Sequence, residues 1–382
     1  MATVSTSIHS YIASVTSGAN VWRTLRGVSV VRTAEGQAVY GVGNSAIIFK
    51  VIYGGRLHKL KCYIRPKRNL KAIYRNRFYN SELMVFDAMG RKVWTDIVLE
   101  EWCEGDSLQE CIEQSLAGAR AMRTLAEHFE RLALWLLEQE WAHGDVKPDN
   151  IIVADGQMHL IDFDAMCAPP FEDIVCEELG TLNYQHPRRG ATLGKEIDDY
   201  PIALIATALH ALVLDATLAE RYSIDDAILV SPTDALRGSD AALDEMERLF
   251  ARAGDALHYR MARLLRSASV ALHGLRELLA FAVAERELRP SDTLTLDYRN
   301  GMWGFRCGEG WAIPPLYDEA FDFSEEVAAV RLCDVWHFID TAGRVVFTCE
   351  GCEAVKPFRN GVAIKIRQGR RIAIDHNGCE LP

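Results

Sequence analysis

Apolar residues recur along the chain with two different periods, and each change of period marks a change of element. Ile8, Tyr11, Ile12 and Val15 stand three to four apart and predict a short amphipathic helix that ends at Ser17-Gly18. Residues 27–65 read as strands: Val28–Arg32, Ala38–Tyr40, Ile47–Tyr53 and Leu57–Ile64, parted by turn-forming residues. Helix is expected over 70–90, from Leu70–Tyr74, Phe78 and Glu82–Phe86. The clearest helix covers 119–141, where Met122, Leu125, Phe129, Leu132 and Leu136 form a core stripe. Two short apolar runs, Ile151–Val153 and His159–Ile161, flank Ala154-Asp155-Gly156-Gln157, and the Asp-Gly step predicts a β-hairpin. An apolar helix then opens at Asp198-Asp199-Tyr200 and runs through Ile202–Leu214, and 240–289 is helical again. At Pro290-Ser291-Asp292 the pattern changes to short strands and glycine turns.

Composition narrows the class. With 49% hydrophobic residues, 382 residues can bury one large core or two. Forty-two Lys and Arg against 53 Asp and Glu leave a net charge of −11, which argues against nucleic acid as a partner. No run approaches the length of a membrane span, and the first residues lack a basic segment followed by an apolar one; a cytoplasmic location and no membrane partner are expected. The ten cysteines are scattered in mostly apolar contexts, which suits reduced thiols better than a disulfide framework. Cys349-Glu350-Gly351-Cys352 has no second pair at zinc-ligand spacing and reads as two core or turn cysteines.

The hairpin is where the chemistry concentrates. Asp145, Lys147 and Asn150 stand just before its first strand and Asp162 just after its second, so four polar groups would meet at one edge. A carboxylate and an amide oxygen suit Mg²⁺, a second carboxylate suits a base, and an ammonium suits phosphate.

In order and spacing, His143-Gly144-Asp145-Val146-Lys147-Pro148-Asp149-Asn150 and Asp162-Phe163-Asp164 resemble the protein-kinase catalytic loop and metal motif. The resemblance implies ATP and Mg²⁺ as cofactors. Asp145 would accept or orient the substrate hydroxyl, Asn150 and Asp162 would hold the metal, and Lys147 would neutralise phosphate charge. Gly41, Gly43 and the segment to Ala46 resemble the Gly-rich loop, with Ala46 in place of the third glycine. Lys61, with Lys50 and Lys59 as rivals, would touch the nucleotide phosphates, and Glu82 would pair with it. Residues 93–108 resemble the last strand of the N-terminal lobe and the hinge. Adenine would there meet backbone near Glu101 and Cys103, and Asp106 would reach the ribose, unless Asp106-Ser107 caps the helix from Leu108. Glu100 falls at the usually apolar gatekeeper position. Gly180-Thr181-Leu182-Asn183-Tyr184-Gln185-His186-Pro187 resembles the end of an activation segment, with Thr181 placed to bond Asp145 and Lys147; Asp198 would brace the catalytic loop.

Three departures bear on activity. No Ser, Thr or Tyr lies between Ala165 and Gly180, and Gly144 stands where many kinases carry a phosphate-reading arginine, so activity is not expected to wait on phosphorylation of this loop. Asp164 replaces the usual glycine, which favours a nucleotide-binding pseudokinase scaffold. Lys147 favours Ser/Thr protein kinases over small-molecule phosphotransferases, which share His-Gly-Asp but normally lack that lysine. A protein substrate with a Ser/Thr hydroxyl is therefore expected, with a scaffold or a small-molecule kinase as alternatives.

The last third repeats itself. Trp303-Gly304-Phe305 returns as Trp336-His337-Phe338, and Phe323–Ala328 returns as Phe358–Ala363, 35 residues on. With Ile313-Pro314-Pro315-Leu316-Tyr317-Asp318-Glu319, this resembles the WG (tryptophan–glycine) β-repeats, which implies a protein partner. The expected fold is α+β, two-lobed and protein-kinase-like, with a C-terminal all-β repeat domain. Its expected divisions are a helical extension at 1–26, an N-terminal lobe at 27–104, a C-terminal lobe at 105–290 and repeats at 291–382.

Overall fold

A computed structural model describes residues 6–17, 20–43, 45–65, 67, 69–167, 180–190, 194–222, 227–284 and 293–382. The chain forms two compact units: Met1–Gly105 with His159–Met166, and Asp106–Met158 with Cys167 and the described residues from 180 to Pro382.

The first unit is built on a six-stranded sheet. Helix α1 (Ile8–Thr16) is followed by β1 (Ser29–Val30), β2 (Tyr40–Val42), β3 (Ala46–Tyr53), β4 (Arg56–Tyr63), the short α2 (Leu70–Tyr74), β5 (Phe78–Phe86) and β6 (Lys92–Glu101). The strands lie in the order β1-β3-β4-β6-β5, with β2 paired to β3. Ser7 caps α1 by accepting from Ser10 N, and the apolar stripe of the helix buries Tyr11 and Val15 in a core with Phe49, Leu60, Leu83 and Ile97.

The helix expected over 70–90 stops at Tyr74, and Phe78–Phe86 is strand instead. Leu83 and Val85 are buried while Met84 and Phe86 are more exposed, a period of two that the helical reading missed. A register shift between Tyr79 and Leu83, with Ser81 at φ 49°, obscures that period in the sequence.

The second unit is mainly helical up to residue 284. Strand β7 (Asp106–Ser107) leads into α3 (Leu108–Ser115), whose start is a capping box: Ser107 accepts from Glu110 N while Glu110 accepts from Ser107 N. Helix α4 (Ala119–Leu137) buries Met122, Leu125, Phe129 and Leu136 as the stripe predicts. The hairpin follows as β8 (Ile151–Ala154) and β9 (Gln157–Leu160), turning at Asp155-Gly156, and the unit boundary falls inside β9. Beyond it come α5 (Asp199–Leu214), α6 (Leu218–Arg221), α7 (Pro232–Arg237), α8 (Ala241–Ala253), α9 (Ala256–Leu264) and α10 (Leu275–Val283). The region expected to be helical at 240–289 is mainly helical as far as it is described, residues 285–289 lying outside the described ones, and is divided first where Gly254 adopts φ +70° and Asp255 caps the next helix.

Contrary to the sequence expectation, Lys195–Leu214 is long and apolar enough to match a membrane span by composition, but 78% of its most apolar 18-residue window is buried within the fold. It is a core helix; Ile202 to Leu212 pack against α4, α8 and α9.

The C-terminal part is a series of small antiparallel sheets. The first joins β10 (Thr295–Arg299), β11 (Met302–Cys307) and β12 (Gly310–Tyr317); the second joins β13 (Glu319–Ala320), β14 (Val327–Leu332), β15 (Val335–Asp340) and β16 (Val345–Cys349). The third joins β17 (Ala354–Arg359), β18 (Val362–Arg367) and β19 (Arg370–Ile374). Phe338 stacks on Phe347 at 4.6 Å and meets Phe358 edge-on at 5.4 Å, so the repeating aromatics are core. A Cβ on Gly304 would stand 2.6 Å from the Pro314 backbone, so glycine is required where β12 crosses closely. In the next repeat His337 occupies that position, fully buried, with Nε2 2.8 Å from the Ala251 carbonyl of α8. From α9, Arg260 donates to Leu316 O at 2.7 Å and to Asp318 at 2.9 Å. The repeats are therefore docked onto the helices of their own unit.

Among the described residues nine cysteines carry free thiols, and Cys62, Cys167, Cys349 and Cys352 are buried.

Candidate active site

In the first unit, pairing with β3 and β6 places Lys61 on β4 with only 3% of its side chain exposed. Its Nζ lies 2.5 Å from Asp162 Oδ1 and 2.6 Å from Asp164 Oδ2. Burial works to lower the Lys61 pKa, but the two carboxylates outweigh it and leave the ammonium more firmly protonated than usual. Of its rivals, Lys50 stands 4.3 Å over the Trp102 ring, and Lys59 pairs across the strands with Lys50 and Glu100.

Asp164 is the most heavily engaged group in this cluster. Its carboxylate takes the Tyr63 hydroxyl at 2.9 Å, the Tyr74 hydroxyl at 2.5 Å and Lys67 Nζ at 3.4 Å, with 5% of its side chain exposed. Burial, reinforced by the Asp164 charge, pushes both phenols far above their ordinary pKa, so they remain protonated donors. Phe163 meanwhile packs against Tyr63, Leu70, Tyr74 and Val98.

Glu82 does not pair with Lys61. Standing on β5, it accepts from Thr24 N, Leu25 N and the Thr24 hydroxyl, each at 2.7 Å. Three donors satisfy its buried carboxylate and tie the N-terminal segment to the sheet. Asp164 holds the ion pair that Glu82 was expected to make. The charged gatekeeper is likewise accounted for, since Glu100 accepts from Arg77 at 2.8 Å.

In the second unit the loop from His143 to Asn150 is held from several sides. Asp198, buried, accepts His143 N at 2.5 Å and Gly144 N at 2.9 Å; burial raises its pKa against the pull of these donors and of His143. Asp145 Oδ1 accepts Thr181 N at 2.7 Å, and Asn150 Nδ2 donates to Asp145 Oδ2 at 3.0 Å and to its carbonyl at 2.9 Å. A Cβ on Gly180 would lie 2.7 Å from Gly144 O and 2.9 Å from Asp145 Oδ1, so only glycine lets that segment approach so closely. Gln185 and Arg189 both donate to Gly144 O. Lys147 is half-buried beside this network.

The nucleotide-binding expectations fall on simpler ground. Gly41 on β2 pairs with Ile48, and Gly43 N donates to Ala46 O at 2.9 Å, closing a hairpin whose Asn44 lies outside the described residues. A Cβ on Gly41 would meet nothing within 4 Å, so packing does not account for a glycine there. Glu101 is exposed and pairs with Arg56 at 3.2 Å, Cys103 is half-buried, and Asp106 is exposed and accepts from Gln114. Ser107, rather than Asp106, caps α3.

These donors suit the implied cofactors. In the second unit Asn150, its nitrogen turned to Asp145, keeps an amide oxygen of the kind a hard cation takes; in the first unit the Asp162 carboxylate, 34% exposed, presents oxygens of the same kind. Sequence reasoning missed Tyr63, Tyr74, Lys67, Gln185 and Arg189. Only Tyr63 carried a signal: two residues from Lys61 on one strand, it shares that lysine's face.

Residues 86–191 match the model of a phosphotransferase enzyme family, and residues 309–336 match the WG containing repeat. The first match includes Asp145, Lys147, Asn150 and Asp162 and leaves out Gly41, Gly43, Lys61 and Glu82. No curated protein matches the chain. Part of the chain is thus similar to a phosphotransferase family of the protein kinase-like superfamily, and a segment towards the C-terminus to the WG repeats.

Proposed function

We propose that the protein transfers the γ-phosphoryl group of ATP to a Ser or Thr hydroxyl of a protein substrate. What carries the reading is Asp145, whose two carboxylate oxygens are fixed by Thr181 N and by Asn150. A carboxylate held in this way orients the attacking hydroxyl and takes up its proton as the oxygen bonds to phosphorus and ADP leaves. Lys147 and Lys61 neutralise phosphate charge, and the backbone at Gly41 and Gly43 covers the phosphates. Glu101, Cys103 and Asp106 line the nucleoside end. Asp162 and Asn150 would hold Mg²⁺, which supplies charge neutralisation at the transferring group. Glu82 has no place in this machinery, because its carboxylate is already occupied by Thr24 and Leu25. Lys147 supports a protein acceptor, and the repeats support a protein partner.

The matching family model is of phosphotransferases without a stated acceptor, so a small hydroxylated molecule is the alternative. Labelled γ-phosphate from Mg-ATP, offered to the wild type and to Asp145→Asn, separates the two. Label on the protein or on a generic Ser/Thr substrate, lost in the variant, is the expected result. Label found only on a member of a metabolite panel would replace the protein acceptor with a small one. No transfer to either, with nucleotide still raising the melting temperature, would leave a scaffold.

A further inference from the structure

Away from the residues assigned above, the helical part of the second unit gathers a set of donor atoms. Glu130 on α4, His210 on α5 and His258 on α9 present one carboxylate oxygen and two imidazole nitrogens, all within 4.8 Å of one another. Glu130 Oε1 is 2.8 Å from His258 Nε2 and 3.3 Å from His210 Nε2. Asp255 Oδ2 lies 2.7 Å from His258 Nδ1, and its other oxygen caps α9. All three candidate ligands are largely buried, with 4%, 12% and 7% of the Glu130, His210 and His258 side chains exposed.

Two features distinguish this cluster from an ion pair that merely ties helices together. A Glu–His bridge needs one imidazole. Here a second ring lies 3.5 Å from the first at an interplanar angle of 20°, and its Nε2 faces the same Glu130 oxygen at 3.3 Å without hydrogen-bond geometry to any group among the described residues. A buried nitrogen so placed calls for an explanation. The second feature is Asp255. By holding the proton on His258 Nδ1 it leaves Nε2 as the donor, which is how carboxylates support metal-bound imidazoles from behind.

We propose that Glu130, His210 and His258 bind one divalent transition ion of the zinc class, with Asp255 as the outer support. Two imidazoles and one carboxylate form a mixed nitrogen–oxygen set that zinc accepts at roughly 2.0–2.2 Å, with water in the fourth position. Magnesium and calcium prefer oxygen donors throughout and do not fit. Binding displaces the proton shared by Glu130 and His258 to solvent and opens the angle between the two rings. The ion would join α4, α5 and α9 at one point. Helix α9 also carries Arg260 to Leu316 and Asp318, so the site braces the helix on which the repeats rest.

The test uses the full chain stripped with a chelator, with Co²⁺ as the spectroscopic probe and Zn²⁺ as its competitor. One equivalent of Co²⁺ should give the visible bands of a four-coordinate nitrogen–oxygen site, and Zn²⁺ should abolish them. His210→Phe keeps a ring over His258 and deletes the donor, and it should remove the bands. Asp255→Asn keeps the helix cap and should weaken Zn²⁺ binding by about 10–100-fold. Absence of stoichiometric binding overturns the proposal. So does a thiolate charge-transfer band, which would place the ion on cysteines such as the exposed Cys333 or Cys379. Bands unchanged in His210→Phe would overturn it as well. Should that variant fail to fold, the wild-type spectrum and the Asp255→Asn affinity still decide.

Discussion

Replacing Asp164 by glycine would restore the residue that kinases usually carry after Asp-Phe, and the structure predicts that it will damage the protein. The substitution removes a buried carboxylate 2.6 Å from Lys61 Nζ and 3.4 Å from Lys67 Nζ, and deletes the acceptor of the Tyr63 and Tyr74 hydroxyls. With Asp164 in place Lys61 faces two carboxylates; without it Lys61 keeps Asp162 and Lys67 loses its contact with Asp164. Breaking a buried ion pair costs about 3–5 kcal/mol, and each phenol left without its acceptor adds about 1–3 kcal/mol less whatever water recovers. Together these give about 5–11 kcal/mol before water recovers part, so a net loss of at least about 4 kcal/mol is expected, a large part of a typical stability of about 5–15 kcal/mol. Glu82 cannot take over, since Thr24 and Leu25 already occupy its carboxylate.

Urea unfolding should show a lower midpoint at unchanged slope, and phosphate transfer per folded molecule should fall because Lys61 loses one of its two anchors. Asp164→Asn keeps an acceptor for the tyrosines while losing the charge, and should fall between the two. An unchanged midpoint together with faster transfer in Asp164→Gly would refute the assignment of Asp164 as the partner of Lys61.

Three further outcomes follow from the same geometry. Glu82→Gln should destabilise the fold by about 1–3 kcal/mol through its hydrogen bonds to Thr24 and Leu25, while transfer per folded molecule stays unchanged; a selective loss of transfer would return Glu82 to the active site. Gly180→Ala should cut transfer by more than tenfold with a stability loss of about 1–3 kcal/mol, since the added methyl group strikes Gly144 O and Asp145 in a left-handed conformation; full activity would show that the segment's approach to Asp145 is dispensable. Burial raises the Asp199 pKa from 3.8 to about 7, so the folded chain holds this proton more tightly than the unfolded one and loses stability as pH rises between those values. Asp199→Asn should therefore match the wild type below pH 3.8 and exceed it by up to about 4 kcal/mol above pH 7; a difference that does not vary with pH would refute the shift.

What was legible in the sequence was whatever local pattern determines. The stripe on α4, the Asp-Gly hairpin and the repeat of aromatic residues all depend on neighbours within a few positions, and each appears where expected. The error over 70–90 has the same origin. Leu83 and Val85 obey a strand period, but the register shift after Tyr79 breaks it, leaving apolar spacings that a helix also satisfies. Partner choice was less legible, because it depends on tertiary placement. Nothing near Glu82 announces that Thr24 and Leu25 will reach it, and nothing near Asp164 announces Tyr74, 90 residues earlier. The motif placed Asp145 beside Asn150, whereas Thr181 N, 36 residues away, came through a resemblance of the segment as a whole.

The histidine standing where the first repeat has its glycine bears on modularity. A cassette that can be cut away leaves a polar surface behind, whereas His337 and Arg260 stitch the repeats to α8 and α9 through backbone carbonyls on both sides of the seam. Cleavage near residue 291 would strand the Ala251 carbonyl and the Arg260 guanidinium together, so the helical segment should behave as a wounded fragment rather than a minimal enzyme. The same seam consumes one face of the second repeat. The protein partner proposed for the repeats would therefore have to approach from elsewhere, for example along β10, where Tyr298 stands exposed.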